Sequence, residues 1–138
     1  MIRTIIKRDL VTVEPDSSVA EAARLMAERG IDTVLVLTNG KPRGLLTDRD
    51  IVVRCVAANV DVDDCTVENV MTETLETVGE GEGIFECIQR MHHSEVRHLP
   101  VVNATGDLVG MVSFGDLLAL LSEEFHQLTE KSAVRTAA

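Results

Sequence analysis

Aromatic side chains are nearly missing from this sequence: its 138 residues include three Phe and neither Trp nor Tyr. A flat ligand is therefore held between aliphatic side chains and backbone, not on an aromatic platform. Cations are short as well, with 13 Lys and Arg against 23 Asp and Glu, for a formal net charge of −10. Binding to nucleic acid or to an anionic membrane surface needs clustered cations that displace counterions, so both are set aside as partners. Cys55, Cys65 and Cys87 are odd in number and lack CxxC spacing, which reads as a reduced, cytoplasmic setting. The richest apolar run, Leu117-Leu118-Ala119-Leu120-Leu121, falls far short of the ~20 residues that span a bilayer. The start of the chain, Met1-Ile2-Arg3-Thr4-Ile5-Ile6-Lys7-Arg8, turns to charge before a signal-peptide core forms.

What the chain does carry is a long internal repeat. Ser18-Val19-Ala20-Glu21-Ala22-Ala23-Arg24-Leu25-Met26 leads to Gly44-Leu45-Leu46-Thr47-Asp48-Arg49-Asp50. Gly83-Ile84-Phe85-Glu86-Cys87-Ile88-Gln89-Arg90-Met91 leads in the same way to Gly110-Met111-Val112-Ser113-Phe114-Gly115-Asp116. Thr12 and Met26 stand 65 residues before Thr77 and Met91, whereas Gly44 and Asp50 stand 66 before Gly110 and Asp116. One residue has been added in between. Such a period marks two copies of one supersecondary unit, each burying its apolar face partly against the other, with equivalent sites in pairs. At 138 residues the copies share one domain.

In the first copy residues 10–13 read as a strand and Glu14-Pro15-Asp16 as a turn. Ser18 with Glu21 makes a capping box, Val19, Ala22, Ala23 and Met26 fall at helical spacing, and Gly30 stands where a left-handed cap is wanted. Ile84, Cys87, Ile88 and Met91 repeat that stripe. Residues 33–37 and 43–47 flank Asn39-Gly40, a pair suited to a tight hairpin, and the second hairpin turns through residues 103–107, which locates the added residue. A second helix starts near Asp48, with Ile51, Val52, Cys55 and Val56 apolar, and near Phe114, with Leu117, Leu118, Leu120 and Leu121 apolar. The expected class is α+β with two β-α-β-β-α repeats. Their bounds are 1–60 and 67–122, with a linker at 61–66 and a helical extension with a frayed end at 123–138.

Chemistry-bearing residues gather where the copies match. Thr47 precedes Asp50, and Ser113 precedes Asp116, by three residues at a strand-to-helix junction. This is a capping box. The same arrangement sets an anion-attracting helix N-terminus beside a carboxylate able to accept from both hydroxyls of a ribose. Gly79-Glu80-Gly81-Glu82-Gly83 is no phosphate loop, since no Gly-Lys-Ser/Thr follows, Ile84 takes the last glycine position of GxGxxG, and the intervening residues are acidic. Cys87, Met91, His92, His93 and His98 do not read as a metal set: the first two lie on the apolar stripe, and adjacent histidines do not readily share an ion. No Ser/His/Asp or Cys/His arrangement has catalytic spacing, so no enzyme is expected.

The order of elements, with Val70-Met71-Thr72, Val96-Arg97-His98-Leu99-Pro100-Val101-Val102 and Gly110 through Asp116, resembles the CBS domain family, named after cystathionine β-synthase. The first copy carries Gly44 through Ile51 in the equivalent place. The resemblance implies a tandem pair packed through its sheets with pseudo-twofold symmetry, and clefts for an adenosyl ligand such as AMP, ADP, ATP, S-adenosylmethionine or NAD, with no cofactor required. It also implies a homodimer and a regulated partner protein. By the same resemblance Asp50 and Asp116 hold ribose, and Thr47 and Ser113 donate toward phosphate. Thr12, Val13, Thr77 and Val78 line the base pocket, while Ile31, Asp32, Val34, Val96, Arg97, His98 and Pro100 approach the adenine edge. Read as plain structure, these are strand and cap positions.

The copies differ in charge: Arg97 and His98 stand where the first copy has Asp32 and Thr33, and Leu35 replaces Pro100. Arg49 offsets Asp32 if it turns inward, and is otherwise a solvated helix charge. The expectation is that the second cleft, assigned to Asp116, Arg97 and His98, binds anionic nucleotides more tightly than the first, assigned to Asp50. Two readings of other classes stand beside this one: an interaction module with empty clefts that dimerises through its leucine-rich last helix, and a thiol or metal sensor using Cys55, Cys65 and Cys87.

Overall fold

The computed structural model describes residues 2–73 and 76–137, with side chains as far as Lys131. Strand β1 (Thr12–Val13) leads into helix α1 (Val19–Arg29). The Ser18 hydroxyl caps α1 by accepting from the Glu21 amide at 3.1 Å, and Gly30 closes it at φ 62° and ψ 38°. Strands β2 (Thr33–Thr38) and β3 (Lys41–Thr47) turn through Asn39 and Gly40 at φ 52° and 77°, the positive pair that a two-residue hairpin demands. Helix α2 (Asp48–Ile51) runs into a wider π turn over Val52–Val56. That wider turn rotates Cys55 into the core and leaves Val52 57% and Val56 56% exposed, so the apolar face expected from a regular helix is only half realised.

Helix α3 (Val67–Val70) and strand β4 (Thr72–Glu73) follow, then β5 (Val78–Gly79), α4 (Ile84–Ser94), β6 (His98–Val102), β7 (Leu108–Ser113) and α5 (Phe114–Ala137). Among the described residues five α-helices thus accompany two sheets, ordered β1-β2-β3-β4 and β5-β6-β7. In each sheet the first pair is parallel and the hairpin antiparallel. Alternation along β2 sends Val34 and Val36 into the first core and leaves Leu35, 1% exposed, on the opposite face. On β6, Leu99 and Val101 enter the second core, and Pro100 is buried on the opposite face. Those opposite faces form the seam between repeats. At one end of it the hairpin tips are tied: Leu108 donates to the Gly40 carbonyl at 3.0 Å, Lys41 to the Thr105 carbonyl at 2.7 Å, and Lys41 also pairs with Asp107 at 3.5 Å.

Sequence repeats and packed cores do not coincide. The first core includes Cys65, Val67, Val70 and Met71, which precede the first strand of the second repeat. The second core takes fully buried Ile2, with Ile5 and Ile6 packed against it. Ile2, Ile5 and Ile6 stand 65 residues before Val67, Val70 and Met71, so equivalent lead-in segments are exchanged. The exchange extends to the backbone, because Lys7 bridges Met111 as Thr72 pairs with Leu45. The segment 61–66 is likewise held down: Val19 donates to the Cys65 carbonyl at 2.8 Å and Val67 to that of Ser17 at 2.8 Å.

Both crossings depend on glycine. A Cβ on Gly44 falls 2.6 Å from the Thr72 carbonyl oxygen, and one on Gly110 falls 2.8 Å from that of Lys7 and onto the Ile6 side chain. Gly44→Ala and Gly110→Ala should therefore each destabilise the protein by about 1–3 kcal/mol through overpacking. Gly81→Ala, whose Cβ meets nothing within 4 Å, should change stability by no more than ~0.5 kcal/mol. Urea unfolding of the three variants is the check.

Candidate functional site

The strand ends that carry the caps meet at the seam. Thr33 pairs with Thr47 in the first repeat and His98 with Ser113 in the second. A cleft of about 570 Å³ opens between the repeats, within the ~300–1,000 Å³ usual for small-molecule sites. Its walls bring Ile31, Asp32 and Thr33 of the first repeat against His98, Met111 and Ser113 of the second. Val11 and Leu35 supply apolar wall, and Lys7 and Asp9 reach it from the exchanged lead-in segment.

Asp116 is bonded to two residues of this wall, Ser113 and Lys7, and itself lines a neighbouring depression of about 360 Å³ with Ile5, Ile6 and Leu120. Its carboxylate accepts from the Ser113 hydroxyl at 2.6 Å, its amide donates to Ser113 Oγ at 3.1 Å, and the Lys7 ammonium lies 3.4 Å away. Burial alone pushes the Asp116 carboxyl up, but the Ser113 hydroxyl and the Lys7 ammonium outweigh it and hold the group below its ordinary value. In the first repeat the twin is a full capping box: Thr47 donates its amide to Asp50 at 3.0 Å, and Asp50 donates its own to Thr47 Oγ1 at 3.1 Å. Thr72 donates its hydroxyl to Asp50 at 3.2 Å, from the position equivalent to Lys7.

This geometry corrects the pairing expected from sequence. Asp32 and Thr33 share a cleft with His98 and with Ser113, the partner of Asp116, because the pseudo-twofold sets the start of β2 against the end of β7. Arg97 lies elsewhere: its guanidinium sits 5.2 Å over the Phe114 ring centroid, a cation–π contact in the groove between α4 and α5. Val13, Val34 and Val78 have their side chains inside the two cores, leaving only backbone for a ligand. Pro100 is buried at the seam, and Val96 packs on the second core and lines the α4–α5 groove. Thr12 is exposed on β1, and Thr77 is half-buried with its carbonyl accepting from Arg90. Lys7, Asp9 and Met111 went unread as site residues. The offset that equates Ile5-Ile6-Lys7 with Val70-Met71-Thr72 was the available signal for Lys7.

The groove between α4 and α5 has a volume of about 510 Å³ and is lined by Ile88, Met91, Val96, Phe114, Leu118 and Leu121. Leu118 is 53% and Leu121 45% exposed, whereas Leu117 is buried and Leu120 half-buried, so the leucine-rich face is partly open. Among the described residues no three His, Cys, Asp or Glu side chains gather as a metal set. Cys55, Cys65 and Cys87 are buried and free. Burial, with Glu82 adding to it, pushes the Cys87 thiol up to about 11, and burial also raises Cys65, which keeps both as unreactive thiols. Glu82 is a structural clasp, accepting from the Gly79 amide and the Arg90 guanidinium, both at 2.6 Å.

Burial lowers His98 from its ordinary value near 6.5; Asp32 and Asp116 oppose the shift, and Lys7 and Arg97 add to it. The unfolded chain therefore binds this proton more readily than the folded one, and His98 weakens the fold as pH drops below about 6.5. His98→Gln should flatten the fall in urea midpoint between neutral pH and pH ~5.5 relative to the parent protein, as followed by denaturation at several pH values.

The CBS domain profile matches residues 2–56 and 67–123. Among similar proteins, an inosine-5′-monophosphate dehydrogenase from Korarchaeum cryptofilum is 34% identical over 135 residues, which make up 98% of this chain and only 27% of that enzyme. The CBS domain-containing protein YhcV of Bacillus subtilis is 32% identical over 116 residues, covering 84% of this chain and 81% of that protein. The solved CBS domain pair of protein MJ0100, in complex with 5′-methylthioadenosine and S-adenosyl-L-methionine, superposes with a TM-score of 0.78 at 25% identity, covering 90% of this chain and 97% of the other.

Proposed function

The chain belongs to the CBS domain family, and on that premise we propose that it is a non-catalytic regulatory module whose inter-repeat clefts take an adenosyl ligand. The observation that carries this reading is the carboxylate of Asp116, fixed by Ser113 and Lys7 of a cleft wall built from both repeats. Such a carboxylate accepts from both hydroxyls of a ribose, while Ile31, Leu35 and Val11 offer the apolar wall that a base needs where aromatics are missing. The adenosyl ligands named for the solved MJ0100 pair support the same chemistry. A ligand seated here touches both repeats and so favours the seam arrangement that grips it best, which is the thermodynamic requirement for a regulator.

The receiving partner is a second copy or a regulated protein at the α4–α5 groove. Its open Leu118, Leu121 and Phe114 make a continuous apolar surface around a cation–π pair, which supports a homodimer through this face. Three free, buried cysteines fit a cytoplasmic setting.

In a thermal-shift panel with AMP, ADP, ATP, NAD, S-adenosylmethionine and 5′-methylthioadenosine, at least one ligand should stabilise the protein. At ~100 times its dissociation constant it adds about 2.7 kcal/mol, a rise of several degrees. Asp116→Ala should cut that rise sharply. No response from any of them leaves the interaction module as the reading. Leu118→Glu with Leu121→Glu should turn the dimer into a folded monomer in sedimentation velocity, and an unchanged mass in the parent and variant chains counts against this face.

A further inference from the structure

Resting on the adenosyl reading above, we propose that the cleft shared by Asp32 and Ser113 selects ligands whose 5′ substituent carries no negative charge, a thioether or a sulfonium, and rejects 5′-phosphates, with Asp32 as the specificity-determining residue. The argument is one of charge and of donors already committed. Asp9 and Asp32 line the cleft, and a third carboxylate, Asp116, is bonded to its Ser113. Against them stand Lys7, held by Asp116 at 3.4 Å, and His98, which burial keeps neutral near pH 7. Arg97, next to His98 in sequence, lies on Phe114 in the other groove, and Arg8, between Lys7 and Asp9, donates to the Val109 carbonyl at 3.4 Å.

Neither hydroxyl in the cleft is available to a phosphate. Thr33 Oγ1 donates to Asp32 Oδ1 at 3.0 Å, and Ser113 Oγ donates to Asp116 at 2.6 Å. A phosphate entering here finds carboxylates where it needs donors, and each neighbouring like charge weakens its binding. A sulfonium meets the opposite field. A methylthio group meets Met26, Ile31, Leu35 and Met111, the apolar part of the same wall.

The test is calorimetric titration near neutral pH and low salt, on the full chain carrying Asp50→Asn so that the Asp50 site contributes least. Adenosine, 5′-methylthioadenosine, S-adenosylmethionine and AMP serve as probes. The uncharged and cationic probes should bind at least ~10-fold more tightly than AMP, and Asp32→Asn should shift the ratio toward AMP by roughly tenfold. Asp9→Asn should move it the same way by less, and about 0.5 M salt should compress it. AMP binding as tightly as 5′-methylthioadenosine, or a ratio unmoved by both substitutions, overturns the charge selectivity and leaves the adenosyl reading standing. Failure of every probe, adenosine included, in a chain with native circular dichroism overturns the adenosyl reading itself and the selectivity with it.

Discussion

The exchange of lead-in segments is the constraint on which the rest of this molecule depends. Ile2 is fully buried in the second core, and Val67 and Val70 are buried in the first, so each core is completed by residues that precede the other core's strands in the chain. Removing a buried aliphatic side chain costs about 2–5 kcal/mol, a large part of the 5–15 kcal/mol that holds a typical domain folded. The halves therefore fold as one unit. The exchange also builds the cleft, because the segment that delivers Ile2 to the second core continues into Lys7 and Asp9 on the cleft wall.

Cleft and groove share one strand end. Arg97 and His98 are consecutive, so the extended chain turns them to opposite sides: His98 into the cleft and Arg97 onto Phe114 in the groove. The Phe114 amide donates to the Arg97 carbonyl at 2.7 Å, and Ser113, the next residue back, reaches Asp116. Cleft and groove are thus joined by a few bonded groups at the start of α5, where the apolar face begins.

Much of this was legible in the sequence, and what was not has definite causes. The capping hydroxyls of Ser18, Thr47 and Ser113, the Asn39-Gly40 turn and the paired hairpins follow from local rules that the structure obeys. The π turn after Ile51 and the left-handed Glu95, at φ 54° where the first copy has Gly30, have no local signal. Both are held by their surroundings. At the candidate site, matching the copies singles out Thr47 with Asp50 and Ser113 with Asp116, which the structure bonds in pairs. Which half of one copy faces which half of the other is a property of packing alone, so the repeat does not reveal that Asp32 shares a cleft with His98 and Ser113. Alternation along β1 and β2 sends the Val13 and Val34 side chains into the core, which leaves their backbone for a ligand.

The tie at the hairpin tips carries a lesson about ancestry. Lys41 and Asp107 stand 66 residues apart, the offset that relates the two copies, and they touch at 3.5 Å. Groups related by a twofold that touch one another lie on its axis, and in a dimer of identical single units such a position must face itself. Two lysines or two aspartates there would repel. Only after duplication can the axial position mutate independently on its two sides, so this attraction is one that two identical half-length subunits do not make.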